Sequence, residues 1–266
     1  MNCSKMKVVV FTEFPRLGPF NKRVFCSMLD IENVTIIGVI FNPRPKRTLY
    51  EMYRVSLRRK RGSAMIVMAI QRLTKRIKRR GKDNSVRIKD LPCCGELPVE
   101  RVSSLKRLTP EANLLITQAD MAVFIGYHQI VKADFINRFK YGVLSYHFGD
   151  LRKYRGQPPL FYEILNGERK VGTVVQLITE DLDGGYIVSE RSIPLLKRDS
   201  LITASKRVDE LTWDMMAEAM RRVMTPGFVP LKPEELGRIY SIPKFGQWLL
   251  FHLKVIFRRL LYSREK

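Results

Sequence analysis

"KVVVFTEFPRLGPFNKRVFCSMLDIENVTIIGVIF", residues 7–41, decides the fold. Its opening, residues 7–14, carries a β-branched run that reads as a strand buried on both faces. FNKRVFCSMLD (20–30) spaces its apolar residues as an amphipathic helix, and NVTIIGVIF (33–41) is a second buried strand. A strand, a helix and a strand in so short a span predict an α/β fold built on a parallel, doubly wound sheet. The turn after the first strand, FTEFPRLGPF, holds one glycine, where a dinucleotide-binding turn needs three. That counts against an NAD enzyme.

The chain has 266 residues, enough for one full core with a small appendage. Its 48 Lys and Arg outweigh 26 Asp and Glu, for a net charge of +22. Such a surface attracts polyanions: phosphorylated substrates, nucleic acid or anionic lipid. The excess is concentrated, since residues 44–82 hold 15 Lys or Arg and one acid, Glu51. Two stretches there, YEMYRVSLRRK and SAMIVMAIQRLTKRIKRR, have helical spacing. They read either as a basic arm for nucleic acid or acidic lipid, or as an inserted hairpin packing Met65, Val67, Met68, Ile70 and Leu73 on the body. The cysteines (Cys3, Cys26, Cys93, Cys94) include an adjacent pair that bridges poorly, and none has zinc-site spacing. A reduced chain without structural metal is expected. No export signal and no membrane span is legible, the longest apolar run being residues 64–70.

Further along, EANLLITQADMAVFIGY (111–127) predicts a helix and then a strand ending at Gly126. ADFINRF (133–139) predicts a short helix, and YGVLSYH (141–147) a strand ending at His147. Two of the three histidines, His128 and His147, therefore stand at strand ends. Open α/β sheets bind their ligands beyond the carboxyl ends of strands. PLFYEILNG (159–167) predicts a helix, 170–179 a strand, EDLDGG (180–185) an acidic loop, 185–195 a strand, and 200–224 one long amphipathic helix.

A histidine alone at a strand end most simply reads as a packed core residue. Here it stands in a pattern: His147, then Tyr154-Arg155-Gly156, Val171-Gly172-Thr173-Val174, and Leu182-Asp183-Gly184-Gly185, with 36 positions between His147 and Asp183. This region resembles the folate-dependent formyltransferases, a family that includes glycinamide-ribonucleotide, methionyl-tRNA and amino-sugar enzymes. The resemblance covers residues 110–195 well and the opening β-α-β weakly. It implies a Rossmann-like formyltransferase fold and 10-formyltetrahydrofolate as co-substrate, with no metal. It implies His147 and Asp183 as the catalytic pair, with Ser145 as the third position. It also implies a folate pocket walled by Gly126, Tyr127, His128, Gln129, Ile130 and Val131 on one side and by Ile178, Thr179, Glu180, Asp181 and Leu182 on the other. His147 is expected to face the reacting formyl group from a glycine-bearing loop, and Arg155-Gly156 reads either as shaping the loop that walls the pocket or as a plain solvent-exposed turn. The family carries asparagine two residues before the histidine; this chain has Ser145, a single shorter donor in place of an amide. The family's Leu-Pro in the following loop is also missing, and Asp150 adds a carboxylate there.

The chemistry agrees with the resemblance. Formyl transfer to an amine passes through a tetrahedral oxyanion, which needs a proton acceptor and donors aimed at the developing charge. The basic surface favours an anionic acceptor, such as a nucleotide-linked or lipid-linked amino sugar. Two other readings stay open: hydrolysis of 10-formyltetrahydrofolate, and a non-catalytic protein that binds folate, nucleic acid or membrane. The expected organisation is a catalytic domain over 1–224, with the basic insertion at about 44–89, and an extension over 225–266. Gly237, Tyr240 and Pro243 resemble the short tail of amino-sugar members. FGQWLLFHLKVIFRRLLYSREK (245–266) predicts a basic amphipathic helix with a Leu249, Leu253, Ile256, Leu260 stripe and with Lys254 and Arg258 on another face. That helix would lie on a membrane surface, or pack on the body or on a second copy. The expected location is cytoplasmic, including the inner membrane face.

Overall fold

The computed structural model describes residues 5–44, 84–91 and 96–262, with isolated positions 48, 50, 51, 54 and 67 between them. Strand β1 (Met6–Thr12) is followed by the short β2 (Arg16–Leu17), helix α1 (Pro19–Leu29), β3 (Val34–Phe41), the short β4 (Val86–Arg87) and β5 (Val99–Arg101). Then come α2 (Pro110–Gln118), β6 (Met121–Phe124), α3 (Ala133–Ile136), β7 (Val143–His147), β8 (Tyr154–Gly156) and α4 (Phe161–Asn166). The chain continues through β9 (Lys170–Leu177), β10 (Tyr186–Pro194), α5 (Leu201–Thr212), α6 (Met215–Met224), β11 (Arg238–Tyr240) and α7 (Phe245–Leu261).

Seven strands form the main sheet in the order β10-β9-β7-β6-β1-β3-β5. The pairings from β7 through β5 are parallel, whereas β9 runs antiparallel to both β7 and β10. This is the expected Rossmann-like, mostly parallel sheet. Strand β1 shows why its central run, Val8 to Phe11, is apolar. Val8 and Val10 enter the core on one face, with Phe25 and Met28 of α1 and Met216 and Met220 of α6. Val9 and Phe11 enter the other, with Ala112 and Ile116 of α2. Alternate side chains from Val8 to Phe11 meet opposite layers, so the polar residues of the strand stand at its ends, Lys7 exposed and Thr12 buried. Phe11 anchors its face, with ring centroids 5.5 Å from Phe124 and 5.3 Å from Phe135.

Two features depart from the sequence reading. The single helix expected over 200–224 is broken at Trp213 and Asp214 into α5 and α6. The break has a visible cause in Tyr146 of β7. Its hydroxyl donates to the Thr212 carbonyl at 2.6 Å and accepts from the Met216 amide at 3.0 Å. An unbroken helix would have bonded those two backbone groups to each other, so the phenol is inserted into the ladder. The second departure concerns α7. It packs on the body through Phe251 and Val255, with Phe251 stacked on Phe161 at 4.5 Å. The stripe singled out in the sequence faces outward instead, Leu249, Leu253 and Ile256 being 43%, 55% and 57% exposed. Lys254 and Arg258 reach the Leu165 and Ile164 carbonyls, both at 3.1 Å. They cap carbonyls at the end of α4, of which that of Ile164 also accepts from the Gly167 amide at 3.2 Å. Of the basic insertion, Val67 is buried, as expected for a packing residue. Met65, Met68, Ile70, Leu73 and most of 44–82 lie outside the described residues, as do Cys93 and Cys94.

Candidate functional site

Strands β1, β6 and β7 end at one edge of the sheet, and the loops that follow them enclose a cavity of about 1070 Å³. Gly126 through Val131, after β6, form part of its wall, and Ile178 through Leu182, after β9, form another part. Both segments expected to face folate are thus brought to a single cavity, together with Ser145, His147 and Asp183. Their contributions differ. Tyr127 is 6% exposed and turns into the aromatic core, its ring 4.3 Å from Phe124, with its hydroxyl accepting from Asn42 at 3.1 Å. Burial raises that phenol's pKa far above the ordinary value. Ile130 is 74% exposed.

The catalytic candidates meet because β8 and the loop after β9 converge on the end of β7. His147 Nδ1 lies 3.4 Å from Asp183 Oδ1, and Nε2 lies 2.8 Å from the Tyr154 carbonyl. A carbonyl only accepts, so Nε2 carries its proton. A carboxylate also only accepts, so the Asp183 contact calls for a proton on Nδ1 as well. The geometry therefore favours imidazolium. Burial opposes the charged ring, but the hydrogen bond and charge of Asp183, with the Tyr154 carbonyl, outweigh it and raise the pKa above its usual value. Asp183 shifts the opposite way. Burial would raise it, yet His147, the Gly156 amide and the Arg155 charge together hold it below the ordinary range.

The expectation that His147 is an open, solvent-facing ring needs correction. It is 7% exposed, with both nitrogens engaged, so it is at once the packed histidine and the member of a pair. Only part of its surface borders the cavity. Asp183, with a side chain 23% exposed, is the more accessible partner.

Arg155 and Gly156 do shape the wall. The Arg155 Nε donates to the Asp183 carbonyl at 2.8 Å and the Leu182 carbonyl at 3.1 Å, while the Gly156 amide donates to Asp183 Oδ2 at 2.9 Å. This clamp holds Asp183 at φ +46°, a left-handed conformation unusual for a residue with a side chain. Gly156 itself has φ +89°, and a Cβ there would overlap the Tyr240 carbonyl. Strand β11 pairs with β8 at that point, which is how the tail residues Tyr240, Ser241 and Ile242 come to line the cavity.

Ser145 precedes His147 by two positions on β7 and so shares its side of the strand. Its hydroxyl reaches only its neighbour's carbonyl, at 3.5 Å. Three residues at the site were invisible in the sequence. Asn21 of α1 lines the cavity, and its amide nitrogen lies 2.8 Å from where a Cβ on Gly126 would stand. The glycine thus leaves room for a primary amide that position 145 lacks. Glu13, with a side chain 3% exposed, accepts from the His128 amide at 3.1 Å and pairs with Arg44 at 2.9 Å, so it ties the ends of β1, β3 and β6 together. Glu163 of α4 is 3% exposed, and burial pushes its pKa up to about 7, partly offset by its own backbone amide and the His147 charge. No motif marks these three; each is brought to the site by tertiary packing. Asp150 instead pairs with Arg152 at 3.2 Å. Among the described residues no cluster of three or more His, Cys, Asp or Glu side chains could hold a metal ion.

Fold and site together define an α/β domain of formyltransferase type, with a His–Asp pair set at a strand end over one large cavity. The formyl transferase family model matches residues 94–220, and over that stretch the chain is similar to the formyltransferases. A methionyl-tRNA formyltransferase of Streptococcus thermophilus is 24% identical over 68% of this chain, which spans 58% of that relative's length. A sugar N-formyltransferase from Shewanella sp. shares the fold with a TM-score of 0.58 at 16% identity, covering 95% of this chain and 87% of that one. The N-formyltransferase of Helicobacter canadensis, described in complex with folinic acid and dTDP-3-aminofucose, has a TM-score of 0.56 at 14% identity, covering 89% and 71%.

Proposed function

We propose that the protein transfers the formyl group of 10-formyltetrahydrofolate to the primary amine of an anionic amino sugar. The observation that carries the reading is the His147–Asp183 pair, 3.4 Å apart, at the cavity walled by 126–131 and 178–182. Those two walls would hold the pterin, with backbone groups pairing to its edge. The acceptor class is supported by the family likeness, by the aminosugar in the Helicobacter canadensis complex, and by the net charge of +22.

In this reading the acceptor nitrogen attacks the formyl carbon, and the carbonyl electrons move onto oxygen. Collapse re-forms the carbonyl and breaks the bond to N10, which takes up the proton removed from the attacking nitrogen, releasing formamide product and tetrahydrofolate. His147, held as imidazolium, stabilises the oxyanion electrostatically. The attacking nitrogen becomes cationic and correspondingly acidic, so even the low-pKa Asp183 carboxylate serves as its acceptor, directly or through one water. Asn21 supplies the amide donor that Ser145 does not. Ordered positioning by the clamp from Arg155 and Gly156 keeps the carboxylate aimed at that nitrogen.

The test is release of tetrahydrofolate from 10-formyltetrahydrofolate, with and without nucleotide-linked amino sugars. Release dependent on the amine, with formamide formed in equal amount, is expected. Equal release without amine would replace transfer by hydrolysis. Folate binding without turnover under any acceptor would leave a binding protein.

A further inference from the structure

Helix α7 has two apolar faces, and its fold uses only one. Phe251 and Val255 are buried against α4 and α5. On the opposite side Leu249, Leu250, Leu253, Ile256, Phe257 and Leu261 are 43–61% exposed. At about 100° per residue these six span an arc of about 140°, a continuous stripe along the helix. Lys254 and Arg258 border the stripe on one side, and His252 and Arg259 lie beyond its other edge. Helices of this build, with a wide apolar stripe and basic flanks, lie in the interface of anionic bilayers.

Charge decides between the possible occupants. Between Glu235 and Glu265 the chain contains no carboxylate and six Lys or Arg. A second copy would bring two such faces together within molecules that each carry +22, and like charges oppose that contact. An anionic lipid surface offers both the apolar depth and the opposite charge. We propose that the outer face of α7 docks this protein on an anionic membrane surface, with the helix parallel to it. Among the described residues no helix is long and apolar enough to cross a membrane, so the contact is peripheral.

The docking helix leaves directly from the cavity wall. Tyr240, Ser241 and Ile242 line the cavity, Pro243 is buried, and α7 opens at Phe245. A surface-bound molecule therefore holds its cavity close to the bilayer, where an acceptor amine carried on a lipid would be found. That choice of acceptor rests on the proposed formyl transfer; the docking stands without it.

Vesicle flotation tests the proposal with full-length protein on phosphatidylglycerol–phosphatidylcholine vesicles and on phosphatidylcholine alone. Binding to the anionic vesicles is expected. The double variant L253D/F257D, at two exposed positions, should lower it at least about tenfold while thermal melting and soluble-acceptor turnover stay as in the parent. In a Phe257→Trp variant, the emission added by the new indole should shift to the blue on anionic vesicles and be quenched by brominated acyl chains. Undiminished binding by the double variant, which would reduce the contact to surface charge elsewhere, overturns the proposal. So does an indole at position 257 that stays unquenched, or a dimer in sedimentation that the double variant abolishes while the parent ignores vesicles. Turnover is measured without lipid, so loss of the membrane contact and loss of the catalytic reading are separate results.

Discussion

Replacing Glu163 by glutamine should stabilise the protein in alkaline solution and do little in acid. Glu163 is 3% exposed on α4, and burial raises its carboxyl from 4.5 to about 7. The folded state therefore holds this proton more tightly than the unfolded chain does. Stability from that proton is complete below pH 4.5 and is lost as pH rises through about 7. At about 1.4 kcal/mol per pH unit, the loss comes to about 3 kcal/mol by pH 8. Glutamine keeps the shape and never ionises, so it escapes that loss. Urea unfolding of both proteins at several values from pH 4.5 to pH 8 reads the difference, and shared titrations of other groups cancel in the subtraction. The expected difference rises from near zero to about 3 kcal/mol in favour of glutamine, less whatever its added N–H donors cost if they find no acceptor. A difference that is flat with pH, or that favours the parent at high pH, would refute the reasoning. Because His147 feels the Glu163 charge, the variant should also lower the pKa of the imidazole, visible as a shifted ring-proton titration by NMR.

Asp183→Asn should abolish formyl transfer and lower the pKa of His147, since it removes the group that outweighs burial there. The pair should contribute most between the lowered pKa of Asp183 and the raised pKa of His147, the first setting its loss on acidification and the second its loss on alkalinisation. Chemical unfolding across pH checks that window. Asn21→Ala should slow turnover by about 10²–10³ if its amide is the oxyanion donor, and Ser145→Asn should restore part of that loss; steady-state kinetics with unchanged folate affinity separates this from a binding defect. Tyr146→Phe should cost about 1–3 kcal/mol, because it strips the partner shared by Thr212 and Met216 inside the helix break. Equal unfolding midpoints for parent and variant would remove that explanation of the break.

The amino-acid order alone determined the opening β-α-β unit, because β1 carries the apolar run Val8 to Phe11 and its turn holds one glycine where a dinucleotide-binding turn needs three. It also singled out His147 and Asp183, which the fold sets 3.4 Å apart, because a strand end and a Gly-Gly loop are each written within a few residues. What the sequence left open depended on contacts between distant elements. The break between α5 and α6 follows from a hydroxyl on β7, 66 residues before Thr212. The engagement of both His147 nitrogens follows from the Tyr154 carbonyl and from Asp183, itself held by Arg155 and Gly156, which no periodicity encodes. Glu163 and Asn21 sit in helices that no motif marks, and only packing turns one into a raised carboxyl and the other into a cavity amide. Helix α7 makes the same point. Its sequence showed one apolar stripe beside a basic face, but the face that meets the body was decided by the fit of Phe251 on Phe161 and by Lys254 and Arg258 reaching two α4 carbonyls.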